Sequence, residues 1–137
     1  LGVPPYLISA TVIGVLAQRL VRTLCAACKV PDPATTSDTL LPLVQPWRVN
    51  GAVHACKPAG CLECRMTGYR GRAGLYELLM LSEAAKAAVH PVPDAAKLRH
   101  TAAHEGLRPL RLAGAMKIAS GVTTAEEVLR ATPAWEG

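Results

Sequence analysis

This 137-residue chain contains two pairs of cysteines whose side chains and spacing could support chemistry. Two residues separate Cys25 from Cys28, and two separate Cys61 from Cys64. A Cys-x2-Cys turn places both thiolates on one side of a tight loop, and Zn²⁺ binds four thiolates in a tetrahedron. Two such turns facing each other would complete the tetrahedron with protein ligands alone. The sequence therefore predicts a closed zinc site, which is structural rather than catalytic.

The same cysteines allow three other interpretations: two independent disulfides, a redox-active Cys-x2-Cys pair, or unrelated free thiols. The cysteine count of five is odd, which argues against a closed disulfide framework. Cys56 has no partner at the Cys-x2-Cys spacing, so we interpret it as a free thiol. Its alternative role is to replace Cys61 as a zinc ligand.

A histidine pair and a glycine-containing turn are the other candidate sites. His100 and His104 lie four residues apart, a spacing that lets two imidazoles on one helix share a metal. Thr101 stands where a His-Glu-x-x-His zinc site needs glutamate, so we favour a surface or half-buried helical pair. The segment Cys61–Gly74, which contains the glycine turn Thr67–Arg72, carries Arg65, Arg70, Arg72 and Tyr69, and such a basic loop with one aromatic could contact phosphates. A polar turn whose glycines adopt positive φ is the favoured interpretation.

Composition and charge restrict the class of protein. Half of the residues are apolar, which is too many for a disordered segment, and aromatic residues make up only 4%. The net charge is +5, but the basic residues are spread from Arg19 to Arg130 instead of forming the stripe typical of strong nucleic-acid binders. The longest apolar stretch, Val3–Ala17, is shorter than the roughly 20 residues that a transmembrane helix needs.

The elements that must position the cysteines are predicted to be mostly helical. Apolar residues at helical spacing, behind a proline pair that suits a first turn, predict a helix over residues 4–24. Between the cysteine pairs we expect a short helix over 38–43 and a brief strand over 52–55. A strand over 75–81 follows the second pair. The last helices are predicted over 83–90, 95–105, 110–120 and 125–131, with Ser82, Asp94 and Thr124 as N-caps and Gly106 and Gly121 after C-termini.

Several stretches of the sequence together resemble one protein family. In chain order they are Val3–Ala10, Ala17–Cys28, Gly60–Glu77, Gly106–Arg111 and Gly121–Thr132. They resemble the carboxy-terminal part of the secretion ATPases that drive type II secretion and type IV pilus assembly in bacteria. The resemblance covers about the whole chain except the insert Pro31–Ala59.

This resemblance implies a hexameric cytoplasmic ATPase built on a RecA-like core. The fold class that it implies is α+β and mostly helical: the end of a RecA-like ATPase domain, an inserted tetracysteine zinc knuckle and a carboxy-terminal helical subdomain. Residues 1–24 would be the helix that closes the core, 25–64 the zinc-binding subdomain, 65–81 a turn and strand that return to the core, and 82–137 the helical subdomain. The structural zinc ligands would be Cys25, Cys28, Cys61 and Cys64.

The resemblance also implies what this chain carries and what it lacks. The Walker A and Walker B segments and the Asp- and His-box segments would lie upstream of Leu1, and the sequence contains no Gly-x4-Gly-Lys-Ser/Thr loop. We therefore expect no nucleotide hydrolysis by this chain itself, with ATP and Mg²⁺ bound only in the parent ATPase.

The implied partners are the rest of the ATPase chain, neighbouring subunits of the hexamer and the inner-membrane secretion or pilus platform. The protein would be cytoplasmic, would associate peripherally with the inner membrane through those partners, and would bind no specific nucleic acid. Four arginines are the candidates for interface contacts: Arg19, Arg22, Arg70 and Arg72.

A second class of function also fits the cysteine pairs, namely a zinc-ribbon nucleic-acid-binding module or a chaperone-like cysteine-rich module. Nucleic-acid binding would show an affinity that falls steeply with salt, because phosphate contacts release counterions. The chain has one set of cysteine pairs, followed by capped helices that lack aromatic side chains on which bases stack. We therefore favour a structural and interface role within a secretion or pilus ATPase.

Overall fold

The computed structural model describes residues 1–136. Within that range the chain forms six helices and four strands, so the predicted α+β class is confirmed. In chain order the elements are α1 (Pro5–Thr11), β1 (Gly14–Leu24), β2 (Val30–Pro31), α2 (Ser37–Val44), β3 (Cys56–Lys57), β4 (Tyr69–Met80), α3 (Glu83–Ala87), α4 (Ala95–His104), α5 (Leu110–Ala119) and α6 (Ala125–Ala131).

The helix predicted over residues 4–24 is wrong. Helix α1 covers only seven of these residues, and Gly14–Leu24 is strand β1. Apolar residues fill so much of this stretch that their periodicity does not separate a helix from a strand. The β-branched side chains of Ile13, Val15 and Val21 favour an extended backbone. Pairing with β4 then gives the backbone groups of β1 their hydrogen-bond partners.

Strand β4 contains most of the strand predicted over 75–81, but it begins earlier, at Tyr69. Its first residues belong to the stretch that we predicted to be a turn. Gly68 precedes the strand with φ of 79° and Gly71 lies within it with φ of 82°. Both are left-handed conformations that glycine adopts without strain, so the strand continues past a position that reads as a turn in the sequence.

A short two-stranded sheet lies beside the cysteine pairs. The strand expected over 52–55 forms instead at Cys56–Lys57, as β3. It pairs antiparallel with β2, so that Val30 lies opposite Lys57 and Pro31 opposite Cys56. This pairing joins the segment after the first cysteine pair to the segment before the second.

The helices predicted after Ser82 are confirmed. Each predicted N-cap side chain accepts a hydrogen bond from the backbone N–H three residues later: Ser82 from Ala85, Asp94 from Lys97 and Thr124 from Glu127. Helix α3 is shorter than predicted and ends at Ala87 instead of His90. Gly106 and Gly121 have φ of 106° and 72°, as expected of glycines that follow a helix.

The chain divides into two compact units. The first contains Leu1–Ala17, Glu77–Arg108 and Glu136, and the second contains Gln18–Tyr76 and Pro109–Trp135. Both cysteine pairs share the second unit with α5 and α6, whereas α3 and α4 belong to the first.

The core of the second unit forms where α2 packs against α5. Helix α2 confirms the short helix predicted over 38–43. Its buried Val44 lies with Leu112 and Ala115 of α5 in a hydrophobic cluster. Partly buried apolar side chains pack around that cluster: Leu43, Trp47 and Val49. The proline-rich segment between the cysteine pairs is therefore part of a shared core with α5.

Two tryptophans extend this packing, since the rings of Trp47 and Trp135 meet edge to face with centroids 5.0 Å apart. Offset and edge-to-face pairs of this kind are the favoured aromatic arrangement. None of the helices in residues 1–136 combines the length and the apolar content that a bilayer crossing requires.

Candidate metal centre

The four paired cysteines come together in the second unit. Their Sγ atoms all lie within 4.8 Å of one another. The separations are 3.9 Å for Cys25–Cys61, 3.9 Å for Cys28–Cys64 and 3.7 Å for Cys61–Cys64. Four thiolates about 2.3 Å from a tetrahedral Zn²⁺ would lie about 3.8 Å from one another. The spacing of the sulfurs therefore fits a tetrahedral metal ion.

The first cysteine pair forms a tight turn at the end of β1. The carbonyl of Cys25 accepts hydrogen bonds from the N–H groups of Cys28, at 3.2 Å, and of Lys29, at 2.9 Å. The N–H of Cys25 donates to the carbonyl of Gly68 at 2.9 Å, which ties this turn to the end of the second one. Backbone hydrogen bonds thus shape the first cysteine turn and connect it to the segment that follows the second cysteine pair.

The second cysteine pair forms a similar turn, and the residues that follow it have an unusual backbone conformation. The carbonyl of Cys61 accepts from the N–H of Met66 at 2.8 Å. Arg65 and Met66 have φ of 54° and 64°, a left-handed conformation that is rare for residues other than glycine. These conformations turn the chain sharply after Cys64, and the following residues can then reach back to its sulfur.

Backbone N–H groups point at two of the sulfurs. Gly60 donates to Cys28 Sγ at 3.3 Å, and Cys61 and Gly68 each donate to Cys64 Sγ at 3.2 Å. Such bonds stabilise a thiolate more than a thiol, because the acceptor is then charged. These backbone N–H groups therefore favour the ionised form of Cys28 and of Cys64.

The pKa values of the two sulfurs differ for identifiable reasons. Burial raises the pKa of Cys64, but the N–H groups of Cys61 and Gly68 outweigh it and lower the pKa to about 6. Burial, together with the neighbouring sulfurs, raises the pKa of Cys28 to about 11. Four thiolates this close would repel one another, and a bound cation would offset that repulsion.

Cys56 lies outside this cluster. It is half-buried, and its Sγ lies 3.8 Å from the carbonyl oxygen of His54. The alternative in which Cys56 replaces Cys61 as a ligand is not supported, because Cys61 itself is in the cluster. His100 and His104 are exposed on α4, with ring centroids 4.8 Å apart. Within residues 1–136, neither histidine belongs to a cluster of three or more side chains that could bind a metal ion.

Arg22, one of the four candidate interface arginines, binds a carboxylate inside the second unit. Its Nε and Nη2 donate to Oε1 of Glu127 at 3.0 and 2.8 Å, and its backbone N–H donates to Oε2 at 2.8 Å. Arg130 adds a fourth bond to Oε1, at 2.7 Å. The guanidinium of Arg22 also lies 4.2 Å from the ring centroid of Tyr69, within cation–π range.

Glu127 is the residue that sequence reasoning missed. Its side chain is only 1% exposed. Burial raises the pKa of its carboxyl, but the hydrogen bonds and charge of Arg22, with the charge of Arg130, hold the pKa below its usual value. The sequence signal was the pattern Thr124-x-x-Glu127, a capping box in which Glu127 would bond the start of its own helix. Glu127 binds β1 instead.

The other three candidate arginines lie at the surface of the second unit. Arg19 donates to the carbonyl of Gln18 at 2.9 Å. Arg70 forms an exposed ion pair with Glu63 at 3.2 Å, a contact of little energetic weight in water. Arg72 is exposed, and its side chain has no hydrogen bond or ion pair within the part of the chain described. Arg19 and Arg72 are thus the two candidates without a carboxylate partner in that part.

A substitution at Gly68 tests the link between the two cysteine turns. Gly68→Ala should weaken metal binding by roughly tenfold, because a side chain there combines left-handed strain with a collision. An added Cβ would lie 2.3 Å from Cβ of Pro58. The matched control is Gly71→Ala, where φ is equally positive but nothing lies within 4 Å. Competition with a metal chelator measures both variants, and equal losses would show that backbone strain alone is responsible.

Comparison with protein families matches residues 1–130 to the family described as type II/IV secretion system protein. The type IV pilus assembly ATPase TfpB of Acinetobacter baylyi is 44% identical over 133 residues, which cover 97% of this chain and 23% of that protein. Type II secretion system protein E of Pseudomonas aeruginosa is 40% identical over 132 residues, 96% of this chain and 26% of that protein. The type IV pilus assembly ATPase PilB of Thermus thermophilus is 40% identical over 135 residues, 96% of this chain and 15% of that protein. The chain thus spans about a quarter or less of the length of these curated relatives.

Proposed function

Since this chain belongs to the family of type II/IV secretion system proteins, we propose that it is the carboxy-terminal zinc-binding segment of a hexameric ATPase that powers type IV pilus assembly or type II secretion. The family resemblance of the sequence motifs is confirmed by the match over residues 1–130. The relatives named above are ATPases of pilus assembly and a type II secretion protein, which supports the function proposed for the parent chain.

The observation that carries the proposal for this segment is the cluster of four cysteine sulfurs. We propose Zn²⁺ as the ion, because four thiolates at tetrahedral spacing are the donor set of structural zinc sites. With all four positions filled by Cys25, Cys28, Cys61 and Cys64, the ion has no open position for a substrate. Its contribution is to hold the two cysteine turns together and so to offset the entropy lost in ordering them.

Nucleotide chemistry belongs, in this proposal, to the rest of the parent ATPase. The sequence has no Gly-x4-Gly-Lys-Ser/Thr loop with which to cradle phosphates, so ATP and Mg²⁺ would bind outside this segment. The segment itself would transmit or support the movements of the ATPase without hydrolysing nucleotide. The segment would lie in the cytoplasm and would associate with the inner membrane through partner proteins.

Exposed apolar residues of the first unit support a partner surface. Leu16, Leu78 and Met80 are 62%, 51% and 57% exposed. Apolar side chains on paired strands are normally covered, and the remainder of the ATPase chain is the cover that we propose, with its RecA-like core packed there. Neighbouring hexamer subunits and the secretion or pilus platform are the further partners, with Arg19, Arg70 and Arg72 as contact residues and Arg22 chiefly bound to Glu127.

Metal and thiol content test the proposal directly. We expect about one zinc per chain by elemental analysis and five reactive thiols after denaturation with a chelator, because zinc-bound cysteines stay reduced. The variant Cys56→Ser should keep the zinc and lose one thiol. A chain that holds no zinc, or whose cysteines are disulfide-bonded, would contradict the proposed site, whereas the family membership would remain.

A further inference from the structure

We propose that metal binding at the four cysteines orders the carboxy-terminal helices α5 and α6, because the first cysteine pair is anchored on both sides to the turn that joins these helices. We call residues 120–124 the α5–α6 turn. The inference rests on the metal site proposed above and goes beyond it, since it assigns the ion an effect on helices that contain none of its ligands. All of the residues involved belong to the second unit.

Two hydrogen bonds connect the α5–α6 turn to the residues that flank the first cysteine pair. The N–H of Leu24 donates to the carbonyl of Val122 at 2.8 Å. The Nζ of Lys29 donates to the carbonyl of Gly121 at 2.9 Å. Leu24 directly precedes Cys25 and Lys29 directly follows Cys28, so a metal that fixes those two sulfurs also fixes both donors. Loss of the metal releases both donors at once.

Lys29 also meets α5 at the end where a positive charge is favourable. The N–H groups of Gly121 and Val122 close the helix by bonding the carbonyls of Ile118 and Lys117, each at 2.9 Å. The carbonyls that follow have no partner within the helix, and the helix dipole makes this end negative. The ammonium of Lys29 therefore supplies both a hydrogen bond and a charge to the end of α5.

The segment between the cysteine pairs also contacts the last residue of α5 and the α5–α6 turn. The N–H of His54 donates to the carbonyl of Ala119 at 2.7 Å. An added Cβ on Gly121 would lie 2.9 Å from the carbonyl oxygen of His54 and 3.1 Å from Sγ of Cys56. Gly121 therefore allows this segment to pack directly on the backbone of the turn.

Helices α5 and α6 are packed too closely to respond separately. At Gly114 of α5 an added Cβ would lie 2.4 Å from Cγ1 of Val128 in α6. Thr123 also donates its hydroxyl to the carbonyl of Arg22 at 2.7 Å, just before the first cysteine pair. If the α5–α6 turn is released from the cysteine region, these contacts are lost. The amides of both helices would then lose protection from hydrogen exchange together.

Hydrogen exchange followed by mass spectrometry tests the inference on the zinc-loaded chain and on the same chain after chelation. We expect amides in residues 117–131 to exchange roughly tenfold faster after zinc is removed, because local opening then costs less. Amides of α4, in the first unit, are the internal control and should exchange at an unchanged rate.

The variant Lys29→Met separates the anchor from the metal ligands. It should bind zinc in the same amount as the parent chain. In the zinc-loaded state, its α5 and α6 amides should nevertheless exchange several-fold faster than those of the zinc-loaded parent chain. The matched control is Lys57→Met, on an exposed lysine of β3 whose side chain has no hydrogen bond or ion pair among residues 1–136. That control should leave the exchange of α5 and α6 unchanged.

Each outcome decides the matter. If chelation speeds exchange around the cysteines but leaves α5 and α6 protected, the coupling is wrong and the metal site stands. If the chain binds no metal, the site and the coupling both fail. If chelation speeds exchange in α4 as much as in α5 and α6, zinc-loaded Lys29→Met decides: faster exchange confined to α5 and α6 supports the coupling, and unchanged exchange overturns it.

Discussion

Replacing Cys61 and Cys64 together by serine should abolish metal binding and lower the midpoint of thermal unfolding by roughly 15 °C, because the free energy of metal binding is also folding free energy. Serine is a poor ligand, since its hydroxyl stays protonated at neutral pH. The double substitution removes two of the four sulfurs that lie within 4.8 Å of one another. Elemental analysis gives the metal content, and circular dichroism on heating gives the midpoint.

The control for this substitution is Cys56→Ser, which removes a half-buried thiol outside the cluster. It should retain the metal and change the midpoint by no more than about 3 °C, as is usual for a substitution that leaves no cavity or unpaired charge. A double variant that unfolds at the same temperature as the parent chain would show that the metal contributes nothing to stability. An equal fall in the unfolding midpoint of Cys56→Ser would mean that the loss of any thiol, rather than the loss of the metal, destabilises the chain.

Replacing Glu127 by alanine should destabilise the chain by about 2 kcal/mol, because it leaves the N–H and guanidinium of Arg22 without their acceptor. The carboxylate is buried and accepts four hydrogen bonds, three from Arg22 and one from Arg130. Removal of one member of a fully buried pair costs about 3–5 kcal/mol. The cost here is smaller because the side chain of Arg22 is 43% exposed and water can replace the lost acceptor.

Urea unfolding measures this loss, and Glu126→Ala is the matched control. Glu126 also lies in the first turn of α6 but is exposed, so its removal should change the free energy of unfolding by no more than about 0.5 kcal/mol. Similar losses in both variants would mean that negative charge near the helix start, rather than the bonds to Arg22, is what matters.

The same carboxylate gives stability a defined pH dependence. The pKa of Glu127 is lowered in the folded chain, so its contribution is complete above the unfolded-state pKa and is lost as the pH falls through the lower folded-state pKa. The stability difference between the parent chain and Glu127→Gln should be constant above about pH 5 and should shrink below it. Metal loss in acid affects both chains alike and cancels in the difference. A difference that stays constant from about pH 5 to pH 3 would contradict this account.

The cysteine site and the later helices could be predicted because their signals are local. Two Cys-x2-Cys turns identify their own ligands, and the short polar side chains of Ser82, Asp94 and Thr124 mark helix starts through bonds that span only three residues. The conformation of Gly14–Leu24 could not be predicted in this way, because its local signal is ambiguous. Pairing with β4, far along the chain, decides its conformation.

The contacts that hold the second unit together could not be predicted for the same reason. The bonds of Glu127 to Arg22 join residues 105 positions apart, and that of Lys29 to Gly121 spans 92 positions. No local sequence pattern around Glu127 or Lys29 indicates which residue it will bind. The segment between the cysteine pairs contains several prolines, and its Val44 is buried because α5 supplies the other half of the core.

The edge-to-face contact of Trp47 with Trp135 makes the chain its own optical reporter. These are the two tryptophans of the sequence, and they sit on the segment between the cysteine pairs and near the end of the chain. Coupled indole rings at 5.0 Å give a near-ultraviolet circular dichroism signal that isolated rings in a mobile chain lack. The packing of the segment between the cysteine pairs against the residues that follow α6 can therefore be followed by near-ultraviolet circular dichroism, without any label.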